Sequence, residues 1–414
     1  MSASLPEHVD VVIAGGGITG ASCFYHLTTR TDLDVLLLEA RGVNFGSTAR
    51  SAAAFRHQFS SRVNVQMSRY SGRLFNELHN EHDTETLLVQ NGYLFLYGNE
   101  ETFQHATNRV EFQQEAGVDT VRTLEPDAVQ NKFPHIQTDE LVGATWCPQD
   151  GFVRPERTTR AFINLAFEHE NAFLQQNCPV TEVHLENGQL HGIEANGETT
   201  VRTTHLVNAA GVWCQQIARA MDLTLPVAPV KRYLYFTNQF DDRDVTGYPM
   251  TVRDLGAYMR PEHNGLMLGW DRKPHAPSSP DAYWRQDYNY DRLYDDQDEL
   301  EEGYGLGIDG YGYEVLAAWA EWVPFLEQAA LTNVSSGFYQ VTPDSKAIVS
   351  RDPRVEGVLH AVGFSGHGVM HAPATGRAIT DLITERDSPF DLEALKLDPF
   401  LEDRQRSDPE QMVL

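Results

Sequence analysis

The sequence predicts an α/β domain of Rossmann-like construction, interleaved with an α+β domain built on a mainly antiparallel sheet. Three observations predict it. A β-branched run, Val9–Ala14, leads directly into Gly15-Gly16-Gly17-Ile18-Thr19-Gly20 and a helix-like stretch to Leu27. Two further apolar, glycine-bounded patterns recur far along the chain, at His205–Gly211 and Gly357–Gly368, the latter followed by a helical stretch to about Ile383. Between them, Asn91–Gly98 and Leu225–Gly269 read as strands with aromatic alternation.

The first unit continues through Asp34–Leu38, a second apolar run that ends at Glu39, which gives strand, tight turn, helix and strand. A βαβ connection of this kind implies parallel pairing. In Gly15-x-Gly17-x-x-Gly20, the first glycine permits the tight turn, the second lets a pyrophosphate approach the backbone, and the third allows close packing of helix on strand. The phosphate charge then sits at the helix N-terminus, beside Ile18 and Thr19, where unpaired N–H groups point at it. Glu39 stands where a carboxylate accepts from a ribose hydroxyl.

The fingerprint suits NAD as well as FAD, and the next segment of the chain separates them. After Glu39-Ala40-Arg41 the chain reads Gly46-Ser47-Thr48-Ala49-Arg50-Ser51-Ala52-Ala53-Ala54, small residues with hydroxyls and one fixed cation. Such a stretch can run along a long flat ligand, with Arg41 or Arg50 offsetting pyrophosphate charge. A nicotinamide enzyme does not need this second cradle.

Pro274–Gly312, rich in Asp, Tyr, Gly and Pro, reads as a long surface loop, and Tyr313 to about Ala330 as a helix bent or broken near Pro324. Pro373 is expected near the first turn of its helix, where proline is tolerated.

Composition narrows the function classes. A chain of 414 residues and 41% hydrophobic content can bury a large core, and two domains are expected at this length. The net charge of -27, from 59 acidic against 32 basic residues, disfavours nucleic acid as a partner. Lys132, Lys231, Lys273, Lys346 and Lys396 are all the lysines there are, and an acidic, lysine-poor surface suggests a halophilic origin, where salt screens self-repulsion. The four cysteines, Cys23, Cys147, Cys178 and Cys214, have no paired ligand spacing, so free thiols and no metal site are expected. With no transmembrane segment and no secretory leader in the sequence, a soluble, cytoplasmic protein is expected.

The segment GSTARSAAAFRHQF resembles the flavin-side loop of the D-amino-acid oxidase and sarcosine oxidase superfamily, especially its sarcosine, dimethylglycine and proline dehydrogenase-like branch. Val207-Asn208-Ala209-Ala210-Gly211-Val212-Trp213 is similar to the family's VNAAGxW element, CPQDGFVRP (Cys147–Pro155) to its DGxVxP segment, and FYQVTPD (Phe338–Asp344) and GFSGHG (Gly363–Gly368) to its C-terminal elements, all in order. The resemblance spans nearly the whole chain. It implies an FAD-binding (Rossmann-like) domain over 1–89, 147–224 and 335–414, and a substrate-binding domain over 90–146 and 225–334.

It also implies an enzyme that oxidises the C–N bond of a small amino acid or N-methylated amino acid, giving an imine that hydrolyses. Ala210, Gly211 and Trp213 would lie near the cofactor, and Val180, in the strand-like segment Cys178–Val183, would contact the adenine. Gly366, His367, Gly368, Val369 and Met370 would present a helix N-terminus to the flavin, where free N–H groups stabilise the charge that develops on reduction. Arg56 corresponds to a carboxylate-binding arginine, with Arg232 and Arg260 as weaker alternatives, and Tyr258 is expected to face the ligand. Relatives that link FAD covalently use a cysteine near the TPD element or a histidine in the GST loop; Val341-Thr342-Pro343 and Arg50 stand there, so the FAD is expected to be non-covalent. Oxygen-using relatives carry a lysine where this chain has Met267 and another just after the GHG element, where it has Met370; the electron acceptor is therefore expected to be a quinone, dye or carrier protein rather than oxygen. The rival readings are a flavoprotein of this fold acting as an assembly or binding factor, an oxygen-using amine oxidase, and a nicotinamide-dependent dehydrogenase.

Overall fold

The computed structural model describes residues 5–81, 88–253, 256–270, 277, 279–285, 288, 290, 293 and 303–412. Val11–Ala14 and Val35–Leu38 are buried at every position, because helices cover one face of the parallel sheet and a three-stranded antiparallel sheet, Val180–Glu186, Gln189–Ala195 and Thr199–Arg202, packs on the other. They pair in parallel, Val11 opposite Val35, and His205–Asn208 pairs in parallel on the other side of the first strand. The full sheet has six strands, in the order Ile348–Arg351, Val358–Val362, His205–Asn208, Val11–Ala14, Val35–Leu38, Ala172–Gln175. All neighbours are parallel except the edge strand Ile348–Arg351. The three separated glycine-rich patterns thus meet side by side.

An eight-stranded sheet, mostly antiparallel, runs in the order Leu331–Val341, Ala228–Thr237, Gly265–Trp270, Ala257–Glu262, Met250–Arg253, Tyr93–Tyr97, Gly143–Cys147, Arg122–Leu124. Its one parallel pair joins Met250–Arg253 to Tyr93–Tyr97. Leu331–Val341 pairs with Ala228–Thr237 along its whole length, so the domain boundary expected at 335 falls inside a continuous strand. Tyr258 lies opposite Gly269, where a Cβ would stand 2.2 Å from the tyrosine ring. Glycine there makes the room that the ring fills.

Helix Ile18–Arg30 buries ten of its thirteen residues. It packs against helix Gly368–Ile383, and a Cβ at Gly376 would approach the Ser22 carbonyl oxygen to 2.4 Å, so glycine sets that close crossing. Pro373 departs from expectation. It is the sixth residue of its helix, beyond the first turn, and the missing N–H gives up one i→i−4 bond inside a buried helix. The helix expected over Tyr313–Ala330 begins at Tyr311 and stops at Ala320; Pro324 then opens a short 3-10 turn to Gln328, since proline favours the first position of a new helical segment over the interior of an old one. Much of Pro274–Gly312 lies outside the described residues. No described helix is long and apolar enough to cross a membrane.

Candidate active site

The strand Val11–Ala14 ends in Gly15, whose φ of 116° is open only to glycine. A Cβ at Gly15 would stand 2.5 Å from the Ala209 carbonyl oxygen, and one at Gly20 would stand 1.9 Å from the Gly15 oxygen. Gly17 caps helix Ile18–Arg30 without a side-chain acceptor, while the Ile18 N–H donates to Thr48 Oγ1 at 3.1 Å. The positive end of the helix macrodipole is therefore directed into the cleft beside it.

That cleft is a cavity of about 540 Å³ lined by Gly15, Gly17, Ile18, Thr19, Glu39, Ala40, Arg41, Ser47, Thr48, Val180, Ala210, Gly211 and Trp213. Glu39 accepts from the Gly16 N–H at 2.6 Å and the Arg41 N–H at 2.8 Å. Burial pushes its carboxyl up, and these two N–H donors and the Arg41 charge oppose the shift. The carboxylate oxygens keep acceptor capacity beyond these two bonds, which is what a ribose hydroxyl requires. The Arg41 guanidinium lies 4.4 Å from the Phe45 ring centre and 5.9 Å from that of Trp213, a cation within reach of two aromatic rings on the wall of the cleft.

A narrow slot of about 80 Å³ shares Ile18, Thr19, Ser47 and Thr48 with this cavity and adds Arg50, Ser51, Ala52, Arg232, Tyr258, Gly366, Gly368 and Val369. Arg50 donates to the Phe45 and Gly46 carbonyls, which fixes the turn that carries the small residues past the slot. On the other wall, Gly366 has φ 91°, and a Cβ there would stand 2.6 Å from the Tyr339 ring. His367 caps helix Gly368–Ile383 without a side-chain capping bond, so a second helix N-terminus faces the same slot.

The slot shares Ser51, Ala52, Tyr258, Gly366 and Val369 with a small inner cavity of about 40 Å³, which adds Arg56, Tyr93, His367 and Met370. Arg56 is 1% exposed. Its guanidinium donates to the Gln58 and Met412 carbonyls and meets His367 Nε2 at 3.3 Å. A guanidinium only donates, so Nε2 accepts and the ring proton of His367 sits on Nδ1 in this contact. Two of the five Arg56 N–H donors remain beyond these bonds. The His367 side chain thus turns toward Arg56.

Three expected residues lie elsewhere. Gly20 lines none of these cavities and serves close packing, the role its position in the fingerprint gave it. Met267 and Arg260 face each other across adjacent strands and line a separate cavity of about 510 Å³, which borders the slot through Arg50, Ser51 and Leu234. Arg260 is committed there, donating to the Ala52 and Pro261 carbonyls and pairing with Glu262 at 2.6 Å. Of the three arginines weighed for a substrate carboxylate, Arg56 alone lines the inner cavity.

Sequence reasoning missed the groups that hold Arg56 in place. Asp150, fully buried, accepts from the His57 N–H at 2.9 Å, from His57 Nδ1 at 2.5 Å and from Gln58 Nε2 at 3.2 Å, pinning the residues that flank Arg56. Cys147 lies beside this pair, but burial pushes its thiol up and the His57 nitrogen is already engaged, so the trio works as a structural clasp. Glu410 accepts from the N–H and hydroxyl groups of Ser60 and Ser61 and from Asn64, at the start of helix Arg62–Glu81. Burial pushes the Glu410 carboxyl up, and Arg56 together with the Ser60 and Met412 donors more than reverses this, holding it below the usual carboxylate range. The DGxVxP motif was the one local signal for Asp150; nothing in the sequence pointed to Glu410. Tyr93, also missed, is fully buried, and its hydroxyl has no hydrogen-bond partner among the described residues.

The residues fit an FAD. The two large glycine-dependent close approaches leave the backbone bare beside one helix N-terminus, Glu39 and Arg41 line the cavity beside that N-terminus, and a narrow slot with Ser47, Ser51, Ala52 and Gly366 on its walls leads from there to a second helix N-terminus. Comparison with known proteins agrees. Residues 10–382 match the family model described as DAO, FAD dependent oxidoreductase. The FAD-dependent oxidoreductase domain-containing protein 1 of Xenopus laevis is 28% identical, over 92% of this chain and 80% of its own length. The human mitochondrial dimethylglycine dehydrogenase is 26% identical over 95% of this chain but only 44% of its own, so the chain spans under half of that relative. The crystal structure of L-proline dehydrogenase from P. horikoshii superposes with a TM-score of 0.82 at 26% identity, over 97% of this chain and all of that one.

Proposed function

Because the chain belongs to the DAO family of FAD-dependent oxidoreductases, which it matches over residues 10–382, we propose that it oxidises the C–N bond of a small amino acid or N-methylated amino acid. The single observation that carries the reading is Arg56, a buried cation with two donors to spare, in a small cavity that opens onto the cofactor slot. When bound, FAD supplies the hydride acceptor for the carbon next to the substrate nitrogen. The protein then needs to hold the substrate carboxylate, orient the amine and exclude water. Arg56 holds the carboxylate, and Tyr258 and His367 shape the walls around it. The helix N-termini at Gly17 and His367 supply fixed positive potential at the phosphates and at the far edge of the slot. The two sheets support the division into a discontinuous FAD-binding domain and a discontinuous substrate-binding domain, with the last strand of the larger sheet kept whole. Anaerobic bleaching of the yellow enzyme across a panel of amino acids, N-methyl amino acids and simple amines tests the assignment. Bleaching by at least one carboxylate-bearing amine is expected; a flavin that none of them reduces overturns the reading and favours a binding or assembly role.

We further propose that the FAD is non-covalent. Among the described residues lining the slot there is neither cysteine nor histidine, and the four cysteines are all buried elsewhere. Burial pushes the Cys23 and Cys214 thiols up to about 12, far from a thiolate nucleophile. Acid precipitation is expected to leave the yellow colour in the supernatant, and a pellet that keeps it contradicts the proposal.

Oxygen is proposed to be a slow acceptor, with a quinone, dye or carrier protein taking the electrons. The cation opposite Met267 on the neighbouring strand is Arg260, and its charge is already met by Glu262 at 2.6 Å, so it offers little to a superoxide forming near the slot. Enzyme reduced anaerobically and mixed with aerated buffer is expected to reoxidise too slowly to sustain turnover, and Met267→Lys to accelerate it. Rapid reoxidation of the unmodified enzyme shows an oxidase instead.

A further inference from the structure

The inner cavity has N–H and O–H donors and no carboxylate of its own. Thirteen residues line it, and none is acidic. Arg56 brings two N–H groups beyond its existing bonds, and Tyr93 brings a hydroxyl with no partner among the described residues. Tyr93 sits on strand Tyr93–Tyr97, at 0% exposure, with its ring stacked on Phe95 at 5.0 Å and its own carbonyl bonded to Gln58 Nε2 at 3.1 Å. Its position is therefore fixed from both the ring and the backbone. Gln58 is in turn held by Asp150 and Thr145, so Tyr93 and the Arg56 turn share one rigid support. A buried hydroxyl is normally bonded, and an unpartnered one on a residue that lines a ligand cavity fits a group waiting for an acceptor from the ligand.

We infer that Tyr93 is a specificity-determining residue: its hydroxyl donates to the carboxylate that Arg56 holds, so that the two form a clamp selecting α-amino acids over amines lacking the carboxylate. This rests on Arg56 being the cation that binds the substrate carboxylate. Arg56 supplies the charge, while Tyr93, neutral and fixed by its strand, supplies direction. Burial pushes the Tyr93 hydroxyl up, opposed by Arg56, so it keeps its proton and stays a donor throughout the working range. No bond is made or broken at Tyr93.

The test is Tyr93→Phe in the FAD-loaded enzyme, read in three ways. Binding of acetate, a bare carboxylate, is followed by perturbation of the flavin spectrum and is expected to weaken about tenfold. The KM of the best amino acid should rise by a similar factor with kcat within about threefold, and the preference for that amino acid over its decarboxylated amine should fall. The melting temperature of the ligand-free enzyme should stay level or rise, because the lost hydroxyl has no partner to lose. A melting temperature several degrees lower would show that the hydroxyl serves the fold, and unchanged acetate binding would show that it meets no carboxylate; either result overturns the inference. Arg56→Lys measured alongside separates the two readings. If both variants bind acetate normally, the cavity is not a carboxylate site and the proposed function itself fails; if only Arg56→Lys is impaired, Tyr93 alone loses its role.

Discussion

Gly20→Ala is expected to purify without flavin. A Cβ at this position would stand 1.9 Å from the Gly15 carbonyl oxygen and 3.1 Å from its carbonyl carbon, so the obstacle is backbone and cannot rotate away. Either the helix Ile18–Arg30 lifts from the sheet or the Gly15 turn moves, and both displace the N–H groups that a pyrophosphate needs. Overpacking of a tight interior costs about 1–3 kcal/mol. A charge-assisted hydrogen bond misplaced by the shift costs about 1.5–3 kcal/mol more. The second of these falls on binding, about one to two orders of magnitude in FAD affinity. The flavin-to-protein ratio should fall below about one tenth of the unmodified value while far-ultraviolet circular dichroism shows a folded chain. Gly247→Ala, where a Cβ would meet nothing within 4 Å, is the matched control and should stay yellow. A yellow Gly20→Ala with a normal ratio would show that the close approach does not govern binding.

The cofactor side of this site was legible because its signals are local. A glycine that must adopt φ 116°, and one whose Cβ would strike the preceding turn, sit five residues apart, and the carboxylate that serves them ends the next strand. The loop Gly46–Ala54 was readable for the same reason: a run of small residues next to Arg50 is a composition that a flat ligand explains and a solvated loop does not. The helix beginning at Gly368 was readable from glycines that φ values of 73° and 91° at Gly363 and Gly366 demand. Misjudged elements had proline in them. A periodic pattern does not say whether a proline bends a helix, ends it or is carried inside it, and Pro324 and Pro373 took different courses because one could open a new turn and the other is held by buried packing.

The substrate side was far less legible. Arg56 was readable by resemblance, but what makes it a usable cation is a set of groups brought in from remote parts of the chain: Asp150 through His57 and Gln58, Glu410 through Ser60 and Ser61, and the Met412 carbonyl itself. No spacing rule connects residues some 350 positions apart in sequence, as Ser60 and Glu410 are. Tyr93 was hidden differently. In an aromatic strand of alternating pattern a tyrosine reads as core, and only the lack of an acceptor for its buried hydroxyl distinguishes it.

For Arg56 the second large effect is expected, and the structure sets how it must be measured. Arg56→Ala removes the cation from the inner cavity, and a charged hydrogen-bonded contact to a carboxylate is worth about 1.5–3 kcal/mol, or one to two orders of magnitude in kcat/KM for an amino acid. The same substitution also orphans the Gln58 and Met412 carbonyls and leaves Glu410 without the charge that helps hold it ionised. Alanine therefore confounds a lost substrate contact with a loosened support. Arg56→Lys keeps the charge but loses the planar fork, so it should retain stability better than alanine while giving up much of the carboxylate recognition. The decisive quantity is the ratio of kcat/KM for the best amino acid to that for its methyl ester, which has no carboxylate charge. That ratio should fall at least tenfold in both variants, with flavin content unchanged. A loss that is equal for acid and ester would assign Arg56 a structural role and move the carboxylate contact to Arg232, which lines the neighbouring slot.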